Sequence, residues 1–278
     1  MPPIPSRPLN DGRHIPQLGL GTWQIPDADT ARVVGTALEL GYRHIDGAAA
    51  YGNEAGLGRA IRDSGLPRAE LFITTKLRNP DQGREQALKA LDASLGRLGL
   101  DYVDLYLIHW PCPGHDRFVD SWKALVEARD AGLARSIGVS NFRAQDIERV
   151  IDATGVVPAV NQIELHPLLQ QSGLRTHADT RGIVTESWSP LAHGGDLLVH
   201  PVLQAIAGKH GKSVAQVVLR WHVQSGLVAI PKSVTPARMA ENAAIFDFSL
   251  DEGDMAKVAT LDAGKRLGPD PGDFEDMS

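Results

Sequence analysis

Eight short strand-like runs, each with an apolar centre, recur along the chain, at residues 18–22, 43–46, 71–76, 102–108, 136–139, 159–163, 183–188 and 227–230. No other feature restricts the fold as much. Runs of this kind, bounded by turn residues and lacking clean polar alternation, suit strands of a parallel sheet covered on both faces. Parallel neighbours need a long crossover, and the intervals supply it. In the first interval Asp29 or Thr30 can cap a helix, Val33, Val34, Ala37, Leu38 and Leu40 follow helical spacing, and Gly41 stops it. Further helices are expected at 54–63, 83–98, 117–131, 144–153 and 171–180.

Eight such units without a long linker predict an α/β protein, a (β/α)8 TIM barrel formed by one domain over residues 1–278. Ahead of the first unit, Asn10-Asp11-Gly12 between two short runs has hairpin chemistry and predicts an N-terminal β-hairpin cap. After the seventh strand the pattern loosens. A His193-Gly194-Gly195 loop precedes extra helices at 201–209 and 213–224, the second with Val214, Val217, Val218 and Trp221 on a core face. A last helix at 251–261 is followed by a Gly, Pro and Asp-rich tail that can fold over the barrel mouth.

Composition removes whole classes of function. The net charge of −6, with no basic stripe to offset it, opposes nucleic-acid binding. No apolar run has the length of a membrane span, and residues 1–8 lack an apolar signal core, so a soluble, cytoplasmic protein is expected. Cys112 is the only cysteine, which excludes an intrachain disulfide and fits a reducing compartment. Without a heptad seam or a long exposed apolar run, a monomer is expected.

In a parallel barrel the C-terminal strand ends share one face, where chemistry collects. Asp46 and Lys76 close two of the runs, His109 directly follows a third, and Tyr51 lies just beyond Asp46. A lysine ending a buried strand needs a partner, and Asp46 on the neighbouring strand is the one available. Beside an ammonium the phenol of Tyr51 is expected to become a better acid. That arrangement suits reduction of a carbonyl: Tyr51 protonates the developing alkoxide while His109 orients the oxygen. A plain buried ion pair with Tyr51 as a rim aromatic is the structural alternative.

The chain resembles the aldo-keto reductase family, and its bacterial 2,5-diketo-D-gluconate reductase branch in particular, almost from end to end. The resemblance rests on Gly41-Tyr42-Arg43-His44-Ile45-Asp46, Tyr51-Gly52-Asn53-Glu54, Ile73-Thr74-Thr75-Lys76-Leu77, Asp104-Leu105-Tyr106-Leu107-Ile108-His109-Trp110-Pro111, Ile137-Gly138-Val139-Ser140-Asn141-Phe142, Asn161-Gln162-Ile163-Glu164-Leu165-His166-Pro167 and Ile230-Pro231-Lys232-Ser233. It implies Tyr51 as proton donor, Lys76 and Asp46 as the groups that tune it, and His109 as the residue that positions the carbonyl. A nicotinamide cofactor is implied as well. Ser140, Asn141 and Gln162 resemble its carboxamide contacts, Trp188 takes the place of the aromatic that stacks on its ring, Ser189 and Leu191 look like pyrophosphate-side contacts, and Glu241 and Asn242 like adenine contacts. Gly21, Thr22 and Asp46 complete the set of cofactor contacts that the resemblance implies.

No Gly-x-Gly-x-x-Gly links a strand to a helix, so a Rossmann domain is disfavoured. The better phosphate site is the stretch Lys232, Ser233, Val234, Thr235, Pro236, Ala237 and Arg238, where Thr235 is expected to cap a helix with Pro236 in its first position. Free N–H groups and two cations there suit a 2′-phosphate, which favours NADPH. Trp23 and Trp110, with Ala50 and His109 beside them, are expected to form the substrate wall, whereas Trp122 is expected to pack in the core.

Two positions depart from the common family pattern. Gly47 replaces a usual Thr and predicts a looser turn between Asp46 and Tyr51. Arg78 replaces a frequent Trp, which predicts a cation near the mouth and a preference for carboxylate-bearing or polyhydroxylated carbonyl substrates. Two other classes compete: a low-turnover NADPH-binding sensor or subunit, and a metal-dependent barrel hydrolase using the His109-x-x-Cys112-x-x-His115 spacing with Asp116. No metal is expected.

Overall fold

The computed structural model describes residues 4–277. Its first element is the hairpin: β1 (Ser6–Pro8) pairs antiparallel with β2 (His14–Pro16), Arg7 opposite Ile15, through a turn in which Gly12 takes a φ of 84°. The alternation then runs β3 (Leu20–Gly21), α1 (Asp27–Glu39), β4 (His44–Asp46), α2 (Glu54–Asp63), β5 (Phe72–Leu77), α3 (Arg84–Leu98) and β6 (Val103–Ile108). It continues through α4 (Phe118–Asp130), β7 (Ala134–Ser140), α5 (Ala144–Thr154), β8 (Val160–Glu164), α6 (Ser172–Thr180) and β9 (Val184–Trp188). The later elements are α7 (Gly195–Leu198), α8 (Pro201–His210), α9 (Val214–Gln224), β10 (Val228–Ala229), α10 (Pro236–Ala243) and α11 (Glu252–Ala259). Among the described residues no helix is long and apolar enough to cross a membrane.

Strands β3 to β10 are all parallel and neighbour one another in chain order. The ring closes where Leu18 bridges Ala229: the Gly19 N–H donates to the Ala229 carbonyl at 2.9 Å, and the Ala229 N–H to the Gln17 carbonyl at 3.0 Å. Closure joins the two outer strands of this eight-stranded sheet, β3 and β10. Helices start and stop close to the expected positions, with one shift. Helix α1 begins at Asp27 rather than after Asp29 or Thr30, and Thr30 Oγ1 donates back to the Pro26 carbonyl instead of capping.

Side chains two apart on a strand face the same way, so each barrel strand carries an inward ladder. Its lower rungs are apolar. Phe72, Leu105, Leu107, Val160, Val184 and Val228 pack with Leu9 and Ile15 of the hairpin, which therefore plugs the bottom of the barrel. One rung requires glycine: a Cβ on Gly138 would lie 2.5 Å from the Val160 carbonyl. Outside the ring, sheet and helices share a continuous apolar layer that includes the fully buried Trp122, while Val217, Val218 and Trp221 build a second cluster under α8 and α11. The upper rungs are polar: His44 and Asp46 on β4, Thr74 and Lys76 on β5, Gln162 on β8 and Glu186 on β9, all buried.

Candidate active site

A chain of backbone and side-chain bonds delivers Tyr51 to Lys76. The Asp46 carbonyl accepts from both the N–H and Oγ1 of Thr22, at 3.0 and 2.9 Å. Past Gly47 a single 3-10 turn, Ala49–Tyr51, ends at Gly52 with φ 67°. Asn53 then pins the turn, its Nδ2 donating to the Thr22 and Ile25 carbonyls at 2.9 Å each. The outcome is a Lys76 Nζ to Tyr51 hydroxyl distance of 3.4 Å.

Gly47 does not leave the turn loosely tied. Its N–H donates to the Thr74 carbonyl at 2.9 Å and its own carbonyl accepts from Lys76 Nζ at 2.9 Å. Both backbone groups are engaged because the turn wraps directly over the ammonium.

Lys76 is fully buried, and its Nζ donates to both Asp46 carboxylate oxygens at 2.8 and 2.7 Å. Burial works against the ammonium, but Asp46 and Tyr51 outweigh it, so the Lys76 pKa is raised and the group stays charged. The expected acidification of Tyr51 is overturned in its net direction. Burial raises the phenol pKa more than Lys76 lowers it, and Asp46 adds to the rise. In the resting site Tyr51 therefore holds its proton.

His109 stands with its ring edge-on to Tyr51, centroids 5.7 Å apart. Burial, with the Lys76 charge, pushes its imidazole down to about 3, so the ring is neutral and keeps one N–H to donate. The site thus holds one cation, a protonated phenol and a neutral imidazole on one face. Charge developing on a carbonyl oxygen there would meet two hydrogen-bond donors and an ammonium.

The residues expected to take a cofactor ring the same end of the barrel. Gly21 and Thr22 close β3, Ser140 and Asn141 close β7, Gln162 lies on β8, and Trp188 ends β9. Asn141, at φ 62°, spends both Nδ2 hydrogens on the His109 carbonyl and Ser140 Oγ, and its Oδ1 accepts from Trp188 Nε1 at 2.8 Å. It orients the aromatic as well as facing the site. Ser189 Oγ lies 2.9 Å from His193 Nε2, and Leu191 packs against the core.

Helix α10 begins after Thr235 with Pro236 in its first turn, as expected, but Thr235 makes no side-chain cap. Ser233 Oγ accepts from the Thr235 N–H instead, at 3.2 Å. Lys232 and Arg238 are exposed and pair with no carboxylate among the described residues, whereas most cations of this chain do. Unpaired cations beside a helix N-terminus fit a phosphate. Glu241 is half-buried and Asn242 buried on the same helix.

Around the mouth, Trp23 is exposed and lies 5.9 Å, ring to ring, from His193, and Ala50 is exposed. Trp110 meets Trp188 edge-on and is covered by Phe274, centroids 4.4 Å apart. The tail does fold over the barrel. Its Leu267 and Gly268 N–H groups donate to the buried Glu164 carboxylate at 2.7 and 2.9 Å, and Asn79 Nδ2 donates to the Asp276 carbonyl. At this rim the Arg78 Nε donates to Asp81 at 3.0 Å in a half-exposed i,i+3 pair, which is weak enough to re-form with another carboxylate.

The metal arrangement is not present. His115 turns toward Glu275 and Cys112 is buried, and no cluster of three or more His, Cys, Asp or Glu side chains able to hold a metal occurs among the described residues.

Residues that sequence reasoning passed over sit directly beneath the site. Glu186 and His44 lie against the Asp46–Lys76 pair, and Glu164 and Phe274 fasten and fill the tail. Counting two residues from Val184 would have turned Glu186 inward; nothing local marks Phe274.

A parallel barrel with a hairpin plug, carrying an Asp–Lys–Tyr–His cluster at its C-terminal end, defines a class, and the Aldo/keto reductase family profile matches residues 17–263. The chain belongs to that family, as an oxidoreductase acting on carbonyl groups. It is 57% identical over 266 residues to an aldo-keto reductase of Mycolicibacterium smegmatis and 53% identical over 267 residues to the methylglyoxal reductase DkgA of Escherichia coli K12, covering 96% of each pair of chains. A Gox0644 variant solved with NADPH superposes with a TM-score of 0.93 at 47% identity, covering 97% of this chain and 98% of that one.

Proposed function

We propose that this chain, working as one barrel unit over its whole length, reduces small aldehydes or ketones to alcohols with NADPH, and that Tyr51 is the proton donor. The observation that carries the assignment is the Tyr51 hydroxyl at 3.4 Å from an ammonium held by Asp46. When bound, the dihydronicotinamide supplies the hydride. Lys232, Ser233 and Arg238 at the start of α10 would hold the 2′-phosphate, and Glu241 and Asn242 the adenine. Ser140, Asn141 and Gln162 would hold the carboxamide, with Trp188 against the ring.

His109 donates its N–H to the substrate oxygen and so fixes the carbonyl beside Tyr51. As negative charge builds on that oxygen, the Tyr51 proton moves to it. The phenolate left behind is stabilised by Lys76, whose own charge is kept in place by Asp46. Burial of the pocket strengthens each of these interactions.

Trp23, Trp110 and Phe274 offer a mainly apolar wall to the substrate. The activity named for the Escherichia coli relative makes a small 2-oxoaldehyde the first substrate to assay. A reducing, cytoplasmic setting goes with the single buried thiol, and the chain is taken to work as a monomer. A low-turnover sensor is disfavoured, because a site that only bound the dinucleotide would not need this proton donor. Tyr51→Phe tests the proposal: NADPH consumption should nearly cease while NADPH affinity, read from fluorescence titration, stays unchanged. Retention of most of kcat would refute the role of Tyr51.

A further inference from the structure

The upper rungs of the barrel hold more ionisable groups than the proposed reaction uses. Behind Asp46, Gln162 directs one amide group at two carboxylates: its Nε2 donates to Asp46 Oδ1 at 2.8 Å and to Glu186 Oε2 at 2.8 Å. The other carboxylate oxygen, Glu186 Oε1, lies 3.4 Å from His44 Nε2 and has no hydrogen-bond donor of its own. All four side chains are buried.

Proton counting decides the state of this cluster. His44 Nδ1 lies 3.3 Å from the Pro16 carbonyl, an acceptor only, so Nδ1 carries the ring hydrogen and Nε2 presents a lone pair, with the Thr74 hydroxyl 3.5 Å away as a long, weak donor that does not reach Glu186 Oε1. A bare nitrogen facing a bare carboxylate oxygen in a dry interior would be two acceptors in contact. A proton shared between them relieves that contact and gives Glu186 Oε1 the partner it otherwise lacks. Held as Glu186 carboxylic acid with neutral His44, it leaves no uncompensated charge; held as an ion pair it would bury two further charges.

Burial and the neighbouring Asp46 push the Glu186 carboxyl up to about 8, while burial pushes the His44 imidazole down to about 4. Both directions place the proton on Glu186. The ionisable groups facing it are His44 and Asp46 from β4, Lys76 from β5 and Tyr51 from the 3-10 turn; β10 presents Val228.

We infer that Glu186 is a positioning residue, a neutral carboxylic acid that fixes the Gln162 amide and leaves Lys76 balanced by Asp46 alone. With both Nε2 hydrogens committed inward, amide planarity turns Gln162 Oε1 away from the carboxylates. That oxygen makes no hydrogen bond among the described residues, so it is the acceptor left for a carboxamide N–H. Ionisation of Glu186, with its proton lost to solvent, would set two carboxylates against one ammonium and make the Tyr51 phenolate harder to form. The inference rests on the proposed reaction for its kinetic consequence but not for the protonation state itself.

Glu186→Gln is the test, since a glutamine mimics the neutral acid: its amide can donate to His44 Nε2 and its carbonyl accept from Gln162. Infrared spectra of protein with isotope-labelled glutamate should contain a protonated-carboxyl band at pH 7 that fades as pH rises past about 8 and is missing in Glu186→Gln. In kinetics, Glu186→Gln should keep kcat/KM within about threefold at pH 7, while Glu186→Val, which strands the Gln162 donor, should lose about five- to a hundredfold and bind NADPH more weakly. Wild-type kcat/KM should decline near pH 8, and Glu186→Gln should hold to higher pH. Tyr51 and Lys76, both raised above their usual range near pH ~10, cannot produce that limb.

A carboxylate band at pH 7, or the same alkaline limb in both proteins, would overturn the inference. If wild type consumed NADPH with no carbonyl compound, the proposed function would fall, and the infrared band would still decide the state of Glu186.

Discussion

Replacing Lys76 by methionine keeps most of the length of the side chain and removes its charge, which separates the two jobs assigned to the ammonium. For catalysis, a full phenolate 3.4 Å from Nζ is worth ~5 kcal/mol at an effective dielectric constant of about 20. A proton half transferred in the transition state realises about half of that, on the order of a 10²-fold loss in kcat. For stability, the variant strands the Asp46 carboxylate, which loses two bonds from Nζ in a fully buried setting. Breaking a buried pair in this way costs about 3–5 kcal/mol.

The two effects part company in the double variant. Lys76→Met with Asp46→Asn removes the stranded charge, so most of the lost stability should return while kcat stays low. Urea denaturation followed by tryptophan fluorescence gives the first quantity, and the rate of NADPH absorbance loss with a saturating 2-oxoaldehyde gives the second. A single variant with kcat within about twofold of wild type would refute the electrostatic account, since the distance leaves no room for so small an effect. Recovery of kcat in the double variant would refute it too, because the loss would then come from misplacement of Tyr51.

Other expectations follow from the same geometry. Gly138→Ala would set a Cβ 2.5 Å from the Val160 carbonyl, forcing β7 from β8; a loss of about 1–3 kcal/mol or more in thermal or urea unfolding is expected, and a neutral result would contradict the close approach. Burial pushes His44 and His222 down to about 4 and His109 to about 3, so each takes up a proton more readily unfolded than folded. The stability they contribute is complete above the unfolded value near pH ~6.5 and is lost as pH falls through the folded values; the urea midpoint should decline across that window. Burial opposes the Glu164 carboxylate, but His166 and the N–H groups of Gly268 and Leu267 outweigh it and lower its pKa. Glu164→Gln, by weakening that clamp, should speed protease cleavage of the tail while circular dichroism of the barrel stays unchanged.

How far the sequence carried the fold can be judged at particular elements. The eight strands were legible because parallel strands buried on both faces are written as apolar runs, and β5, buried along its whole length, is the clearest case. Strands β3 and β10 shrink to two residues each, since their remaining partners form the closing seam by single bonds rather than a full ladder. The start of α1 moved because Asp27 is tied to Gly56 and Arg59 of the next helix, a contact with no local signature. The hairpin turn, by contrast, is local chemistry, and Gly12 took the positive φ that it was placed to supply.

Within the site, the order of residues already names the groups and their strand ends: Asp46, Lys76 and His109, with Tyr51 one short turn away. Barrel closure makes their convergence follow from the alternation alone. The tertiary structure decided what each group does there. Whether a phenol beside a lysine is a stronger or weaker acid depends on how much water both have lost, and here burial wins, so Tyr51 rests protonated. Whether Gly47 loosens a turn depends on what its two backbone groups meet. Glu186 is the sharpest instance. Its identity is one letter in a short strand-like run, but its charge state is set by Gln162, Asp46 and His44 from two other strands, brought against it only when the ring closes.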